Sequence, residues 1–167
     1  MANFGVQLLG TISAAFRSAG VIYVASTAGS NRRINAYEIN VGQVAASYAS
    51  TDTSILWDVS RIGASAGLAA SAVTPNLMDG TGSGTALSNY FNTPTTDSTP
   101  TVTTQGNGLS LYTWPINQRG FNRWRALDDG DNIVVPSVAF NGLAIRLLCS
   151  GGAFGGSGIG TLAFGEA

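Results

Sequence analysis

The sequence of 167 residues contains no histidine, no lysine and a single cysteine, Cys149. Histidine is the usual general base at neutral pH and the commonest metal ligand, so its absence excludes Ser-His-Asp and Cys-His catalytic pairs within the chain. Without lysine there is no Schiff-base nucleophile and no phosphate-gripping P-loop lysine. One cysteine excludes an intrachain disulfide and a multi-cysteine zinc site. Carboxylates, arginines, tyrosines and hydroxyl groups remain for chemistry, and we expect no cofactor and no metal.

Charge is also scarce. Eight arginines stand against nine acidic residues, and charged residues make up 10% of the chain, where an ordinary soluble domain has roughly 25%. The near balance of charge gives no electrostatic footprint for nucleic acid. A weakly charged surface on a chain that is 44% hydrophobic is typical of a protein that packs against copies of itself or against a larger body.

Long hydrophobic runs and targeting signals are missing as well. The most apolar window, residues 4–25, is interrupted by Gln7 and Arg17, so we predict no membrane span. The first residues lack a positively charged region, which predicts no signal peptide. Together with the missing disulfide framework, these features favour synthesis in a reducing cytoplasm.

Short apolar stretches separated by Gly, Ser, Thr, Asn and Asp run through the chain and predict an all-β sandwich or barrel. Around Trp57 the inward residues alternate cleanly from 55 to 59. After Ala36 the apolar residues change parity, which predicts a β-bulge. We expect an N-terminal arm over residues 1–18 and one sandwich domain over residues 19–167.

Two segments are rich in turn-forming residues. The stretch 75–107 is a long Thr-, Gly-, Pro- and Asn-rich segment with little periodicity, and a loop of that length in a compact domain is usually functional or disordered. The glycines of residues 151–160 predict a second flexible connection, because the dinucleotide-binding pattern is not met and no P-loop lysine exists.

Several short motifs predict turns. The acidic cluster at 128–131 lacks the closing Glu of a calcium loop and therefore indicates a turn. Asn117 and Gly120 bracket a second turn between two strands. The pair Asn141-Gly142 is the strongest hairpin signal in the chain.

The candidate binding side chains are aromatic residues and arginines. A strand would place Arg123 and Arg125 on one face. They could hold a phosphate or an acidic sugar there, but the favoured interpretation is that they pair with the acidic residues at 128, 129 and 131 of a neighbouring strand or subunit. Trp57, Trp114 and Trp124 could stack on sugar rings, but at alternating strand positions they are more often core or interface anchors.

A carboxylate pair is the remaining possibility for catalysis. Glu38 and Asp58 lie on separate predicted strands and could form a glycosidase pair. Surface or interface charge is the simpler interpretation, and we expect the protein not to be an enzyme.

Residues 112–146 carry a family resemblance. The series N-Q-R-x-x-x-R-W at 117–124 and V-x-P-x-x-x-x-N-G-L at 134–143 resemble the head decoration, or cement, proteins of tailed bacteriophages. The resemblance implies a jelly-roll-like sandwich that binds the outer capsid surface of the virion as a homotrimer, with the major capsid protein as partner. Independently of the resemblance, structural or interface roles are expected of nine residues from their own chemistry and positions. These are Trp57, Trp114, Asn117, Arg119, Arg123, Trp124, Arg125, Asn141 and Gly142. The alternative is a tail structural protein or a carbohydrate-binding host-adhesion protein.

Overall fold

The structure, a computed structural model, describes residues 2–14, 16–24, 32–45, 52–63, 70–72, 75–78, 89–94, 110–139, 141–149 and 156–167. Within these ranges there are twelve β-strands and one short 3₁₀ helix. The strands are β1 (Ala2–Thr11), β2 (Arg17–Tyr23), β3 (Ile34–Ala45), β4 (Ser54–Gly63), β5 (Ala70–Ala72), β6 (Asn76–Leu77), β7 (Asn89–Pro94), β8 (Tyr112–Asn117), β9 (Asn122–Arg125), β10 (Ile133–Val135), β11 (Asn141–Leu148) and β12 (Gly156–Glu166), and the 3₁₀ helix is Asp129–Asp131.

The strands form two antiparallel sheets packed face to face. Sheet A has the order β6-β1-β12-β3, and both β9 and β10 pair with the far edge of β3. Sheet B has the order β5-β7-β2-β11-β4-β8. The central four-strand sets, β1-β12-β3-β9/β10 and β2-β11-β4-β8, have the strand order of a jelly roll. The predicted all-β, jelly-roll-like sandwich is therefore confirmed.

The predicted N-terminal arm is wrong for the described part of residues 1–18. The strand β1 pairs with β12 over ten residues and with β6 on its other side. Its alternate side chains Phe4, Val6 and Leu8 are buried in the core, as period-2 alternation requires of a strand with one covered face. Burying this stripe stabilises the segment inside sheet A, and β2 then begins at Arg17.

The core lies between the two sheets and is filled from the inner faces of both. Trp57 is the largest fully buried side chain, and the rings of Phe4 and Phe164 stack with their centroids 5.6 Å apart. A Cβ atom at Gly158 would lie 2.8 Å from the Trp57 ring, so this glycine makes room for the indole. Residues 156–160 thus belong to a packed strand, while residues 151–155 of the predicted flexible connection lie outside the described residues.

The predicted bulge after Ala36 is confirmed. Opposite β12, Ala163 pairs with Glu38 and Phe164 pairs with Ala36, which leaves Tyr37 as the extra residue. The inward positions of β3 therefore change from even to odd numbers. As a result Glu38 faces the outer side of sheet A instead of the core.

The hairpin predicted at Asn141-Gly142 is wrong. Both residues are the first residues of β11 and pair with β4, and Gly142 also pairs with Tyr23 of β2. A Cβ atom on Gly142 would lie 2.2 Å from the carbonyl oxygen of Ile22. The glycine is needed for this close backbone approach, a role that Gly also takes inside strands.

Most of the loop predicted over 75–107 lies outside the described residues. Its described parts contain β6 and β7, which extend sheets A and B beyond β1 and β2. In the described portion of the chain, no helix is long and apolar enough to cross a membrane.

Candidate interface at the β8–β9 edge

The turn between β8 and β9 crosses from sheet B to sheet A at one edge of the sandwich. The Gly120 amide donates to the Asn117 carbonyl at 2.7 Å, and the Arg119 amide donates to Asn117 Oδ1 at 2.9 Å. The prediction that Asn117 and Gly120 bracket a turn is confirmed. The Asn side chain reproduces a backbone acceptor here, which is why Asn is favoured in such turns.

Gln43 of β3 holds this turn against sheet A. Its amide nitrogen donates to the carbonyl oxygens of Asn117 and Gly120, the latter at 3.2 Å. The side chain is buried, so these bonds satisfy polar groups that would otherwise be costly to cover. The sequence reasoning missed Gln43. The sequence feature that could have revealed Gln43 is its position. It is a polar residue on the same face of β3 as the inward-facing residues Ile39 and Val41.

Three aromatic rings meet where β8 and β9 approach each other. Tyr112 and Trp114 are parallel, with centroids 5.8 Å apart and planes 2° apart. Tyr112 also contacts Trp124, at 5.3 Å and 39°. Both tryptophans are half-buried and pack against the core, whereas Tyr112 is 38% exposed. The rings close the open edge of the sandwich and still reach the surface.

A cleft of about 460 Å³ lies beside these rings. Its lining includes Tyr112, Trp124, Arg125, Leu127 and Asp131, and a smaller cleft of about 200 Å³ shares Tyr112 and Asp131. Leu127 is 93% exposed. We call the surface formed by Leu111, Tyr112, Trp124, Arg125 and Leu127 the edge patch.

The arginines of β9 pair with Glu38, a carboxylate that the sequence reasoning did not name as their partner. Arg123 lies 2.7 Å and Arg125 3.9 Å from the same Glu38 oxygen, Oε2. The strand register explains why both arginines reach Glu38. Glu38 is directly opposite Arg125 in the β3–β9 ladder, and Arg123 is two residues away on β9, on the same face. The hydrogen bond from Arg123 is the main cause that lowers the pKa of Glu38 below its ordinary value of 4.5, against a smaller opposing effect of burial.

The acidic cluster at 128–131 forms the predicted turn. Asp128 Oδ1 accepts from the Gly130 amide at 2.7 Å, and the Asp131 amide donates to the Asp128 carbonyl. Within the described residues, no three His, Cys, Asp or Glu side chains lie close enough to hold a metal ion.

The other predicted residues are placed elsewhere. Trp57 is fully buried, so it is a core residue and not a surface anchor. Arg119 lies 3.7 Å from Asp52 in an exposed ion pair. Glu38 faces outward from sheet A, whereas Asp58 alternates with core residues of sheet B and faces outward from that sheet. The two carboxylates are on opposite sides of the sandwich and cannot act on one glycosidic bond, which needs them within about 5–10 Å of each other.

A buried polar network surrounds Asp58 and was also missed. Arg146 donates to Asp58 Oδ2 from two nitrogens, at 2.6 and 2.8 Å, and to Ser60 Oγ at 2.9 Å. Ser60 in turn donates to Asp58 Oδ2 at 2.7 Å. The guanidinium also stacks over the Phe16 ring at 4.7 Å. The arrangement holds β4 and β11 together on the outer face of sheet B.

The chain matches no protein-family model, and comparisons with curated proteins and with solved structures likewise give no match.

Proposed function

We propose that this chain is a structural protein of a bacteriophage virion that binds the outer face of the capsid as a homotrimer and cements neighbouring capsid subunits. The observation that carries the proposal is the edge patch. The jelly-roll strand order adds support, since it is the fold that the resemblance of residues 112–146 implies.

The edge patch has the composition of a protein interface. Tyr, Trp and Arg are the residue types that contribute most to binding energy at interfaces, and Tyr112, Trp124 and Arg125 lie together here. Leu127 adds an almost fully exposed apolar side chain. Permanent interfaces between subunits are more hydrophobic than transient ones. We therefore assign the edge patch to contacts between copies of the chain in the trimer.

The stabilising effect on the capsid follows from thermodynamic linkage between binding and capsid assembly. A protein that binds only the assembled capsid lattice stabilises that lattice by an amount that grows with its occupancy. A trimer offers three equivalent contacts, and the affinity of the whole exceeds that of one contact when all three engage together. No catalytic group is required for this role.

The structure gives little support to the alternative in which tryptophans bind sugars. Trp57 is enclosed in the core, and Trp114 is half-buried with Tyr112 stacked against it. A structural role in the tail uses the same kind of interface, and the location of the protein in the particle distinguishes it from a role in the head.

The trimer is tested by sedimentation velocity on the purified chain. We expect the wild type to sediment as a trimer and Leu127→Asp to shift it towards monomer, because a charge would be placed in an apolar interface. Val44→Asp is the matched control. Val44 is also exposed, at 52%, but it lies outside the edge patch, beyond residues 38–41 of β3 that pair with β9. A monomeric wild type at high micromolar concentration would contradict the proposal.

Attachment is tested on heads of the encoding phage prepared without the protein. Added wild-type protein should bind and appear by cryo-electron microscopy as density on the outer capsid surface, and the heads should then resist heat or chelators better. Density on the tail alone, or no binding, would overturn the proposed role.

A further inference from the structure

A groove of about 820 Å³ crosses the outer face of sheet A. It shares no lining residue with the edge patch, and Arg125 of the patch reaches Glu38 of the groove. Its floor is formed by outward-facing residues of β1, β12 and β3, with Asn76 and Met78 at one end and the turn residues Arg119 to Phe121 at the other. The volume is in the range of sites for small organic ligands, about 300–1,000 Å³.

Small residues make the floor of the groove. A Cβ atom at Gly5 would lie 3.3 Å from Met78 Sδ, so the missing side chain lets Met78 lie over β1. At Gly42 a Cβ atom would be 3.7 Å from Phe121 Cβ. Phe121 is 71% exposed and Met78 56% exposed. The groove therefore has a low floor between two apolar side chains that stand at its ends.

A hydrogen-bonded row of polar groups crosses this floor. The Asn40 amide nitrogen donates to Glu38 Oε1 at 2.8 Å and to Thr161 Oγ1 at 3.1 Å, while Arg123 holds the other Glu38 oxygen. Both bonds of Asn40 use its nitrogen, which leaves its Oδ1 to accept from a ligand. Thr161 Oγ1 accepts from Asn40, so its hydroxyl hydrogen remains available to donate. The row is oriented before any ligand arrives.

The charges around the groove argue against ionic ligands. Among the described residues of its lining, Glu38 and Arg119 are charged and both already have ion-pair partners, Arg119 with Asp52. Arg123 and Arg125 already compensate the Glu38 carboxylate, so a cation gains little there. A phosphate would meet that carboxylate on the floor. A flat apolar protein surface would leave the Asn40 and Thr161 groups without partners, which is costly once they are buried.

We propose that this groove binds an uncharged oligosaccharide. Hydroxyl groups both donate and accept, so a sugar can donate to Glu38 and to Asn40 Oδ1 and can accept from Thr161 and Arg119. The carbon-bound hydrogens on a pyranose face can pack on Phe121, Ile159 or Met78. No residue lines both the groove and the cleft of the edge patch, so contacts between copies through the edge patch do not require the groove.

The test is a glycan array carrying neutral hexose and N-acetylhexosamine oligosaccharides together with uronate-, sialate- and sulfate-bearing ones. The best neutral oligosaccharide on the array is then titrated by calorimetry against the wild type and three variants. Gly42→Leu fills the groove from a position where a Cβ atom meets only ordinary contacts. Asn40→Ala removes the central hydrogen-bonding group, and Val44→Leu enlarges a side chain on the same strand and the same face but outside the groove lining.

We expect neutral glycans to bind, Gly42→Leu to abolish binding, Asn40→Ala to weaken it about tenfold or more, and Val44→Leu to leave it unchanged. Thermal unfolding checks that each variant is folded, and Asn40→Ala decides the matter if Gly42→Leu is not. The proposal is overturned if the wild type binds no glycan, if it binds acidic glycans alone, or if the Gly42→Leu or Asn40→Ala variant folds and binds as the wild type does.

Discussion

At the scale of single residues, glycine has two different uses in this sandwich. At position 158 the missing side chain makes room for the Trp57 indole, and at position 42 it leaves an open floor on the outer face of sheet A. Both residues lie in strands, where glycine is otherwise unfavourable. Each glycine is therefore explained by its surroundings: Gly158 faces the Trp57 ring, and Gly42 faces the open groove.

Replacing these two glycines by alanine should have opposite effects. Gly158→Ala places a methyl group 2.8 Å from atoms of Trp57 and Leu147, and overpacking of this kind costs about 1–3 kcal/mol. Gly42→Ala meets no contact closer than 3.7 Å and should be neutral or stabilising by up to about 1 kcal/mol. Urea denaturation of the two variants measures the difference, and equal stabilities would show that Trp57 does not need the space.

The buried and exposed ion pairs should also differ in their effect on stability. Asp58 is fully buried against Arg146, so Asp58→Ala leaves a covered guanidinium without its carboxylate, at a cost of about 3–5 kcal/mol. Asp52→Ala removes the carboxylate of an exposed pair with Arg119, worth about 0–1 kcal/mol. Denaturation midpoints test this, and a small loss in Asp58→Ala would mean that the network around Ser60 compensates.

The ion pair between Glu38 and Arg123 should make the stability of the fold depend on pH. The hydrogen bond from Arg123 lowers the pKa of Glu38 in the folded state below 4.5. The pair therefore stabilises the fold above that pH, and this contribution is lost as the pH falls through the lowered pKa. In NMR titrations of the side-chain carboxyl carbon, Arg123→Gln should raise the pKa of Glu38 and Arg119→Gln should leave it unchanged. An unchanged pKa in Arg123→Gln would argue against the ion pair.

At the scale of secondary-structure elements, the bulge in β3 and the strand β1 decide which surfaces exist. The extra residue Tyr37 turns Glu38 and Asn40 to the outside of sheet A, so it creates the polar row of the groove. The strand β1 supplies the groove with Gly5 and Gln7 and the core with Phe4 and Leu8. One strand thus serves both faces of the sheet, as period-2 alternation allows.

Removing residues 2–11 should therefore unfold the domain. The deletion takes away the neighbour that β12 pairs with over ten residues and exposes the apolar face of sheet A. Circular dichroism and thermal unfolding should show loss of the cooperative transition. A truncated chain that still unfolded cooperatively would show that β1 behaves as a dispensable arm.

At the scale of the whole molecule, the jelly roll places two exposed features and one buried polar network at different positions. The edge patch lies where β8 and β9 meet, the groove lies on the outer face of sheet A, and the Asp58 network lies on the outer face of sheet B. A chain with 10% charged residues has few charges with which to keep apolar surface in solution. The proposed trimer would cover the apolar side chains of the edge patch.

The sequence by itself determined the local features of this protein. The alternation around Trp57, the parity change after Ala36 and the turn between Asn117 and Gly120 all follow from backbone periodicity and turn chemistry over a few residues, and the structure has each of them. The same local rules predicted that Arg123 and Arg125 pair with carboxylates but did not name Glu38 as the partner.

Only the tertiary structure decided the long-range features. The order of strands in the sheets placed Glu38 beside Arg123, put Glu38 and Asp58 on opposite sides, and made β1 a central strand instead of an arm. It also turned Asn141-Gly142 from an expected hairpin into the start of β11. The physical reason is that a strand's pattern states which face is buried but not which strand lies beside it, because that choice depends on how all the apolar faces are covered together.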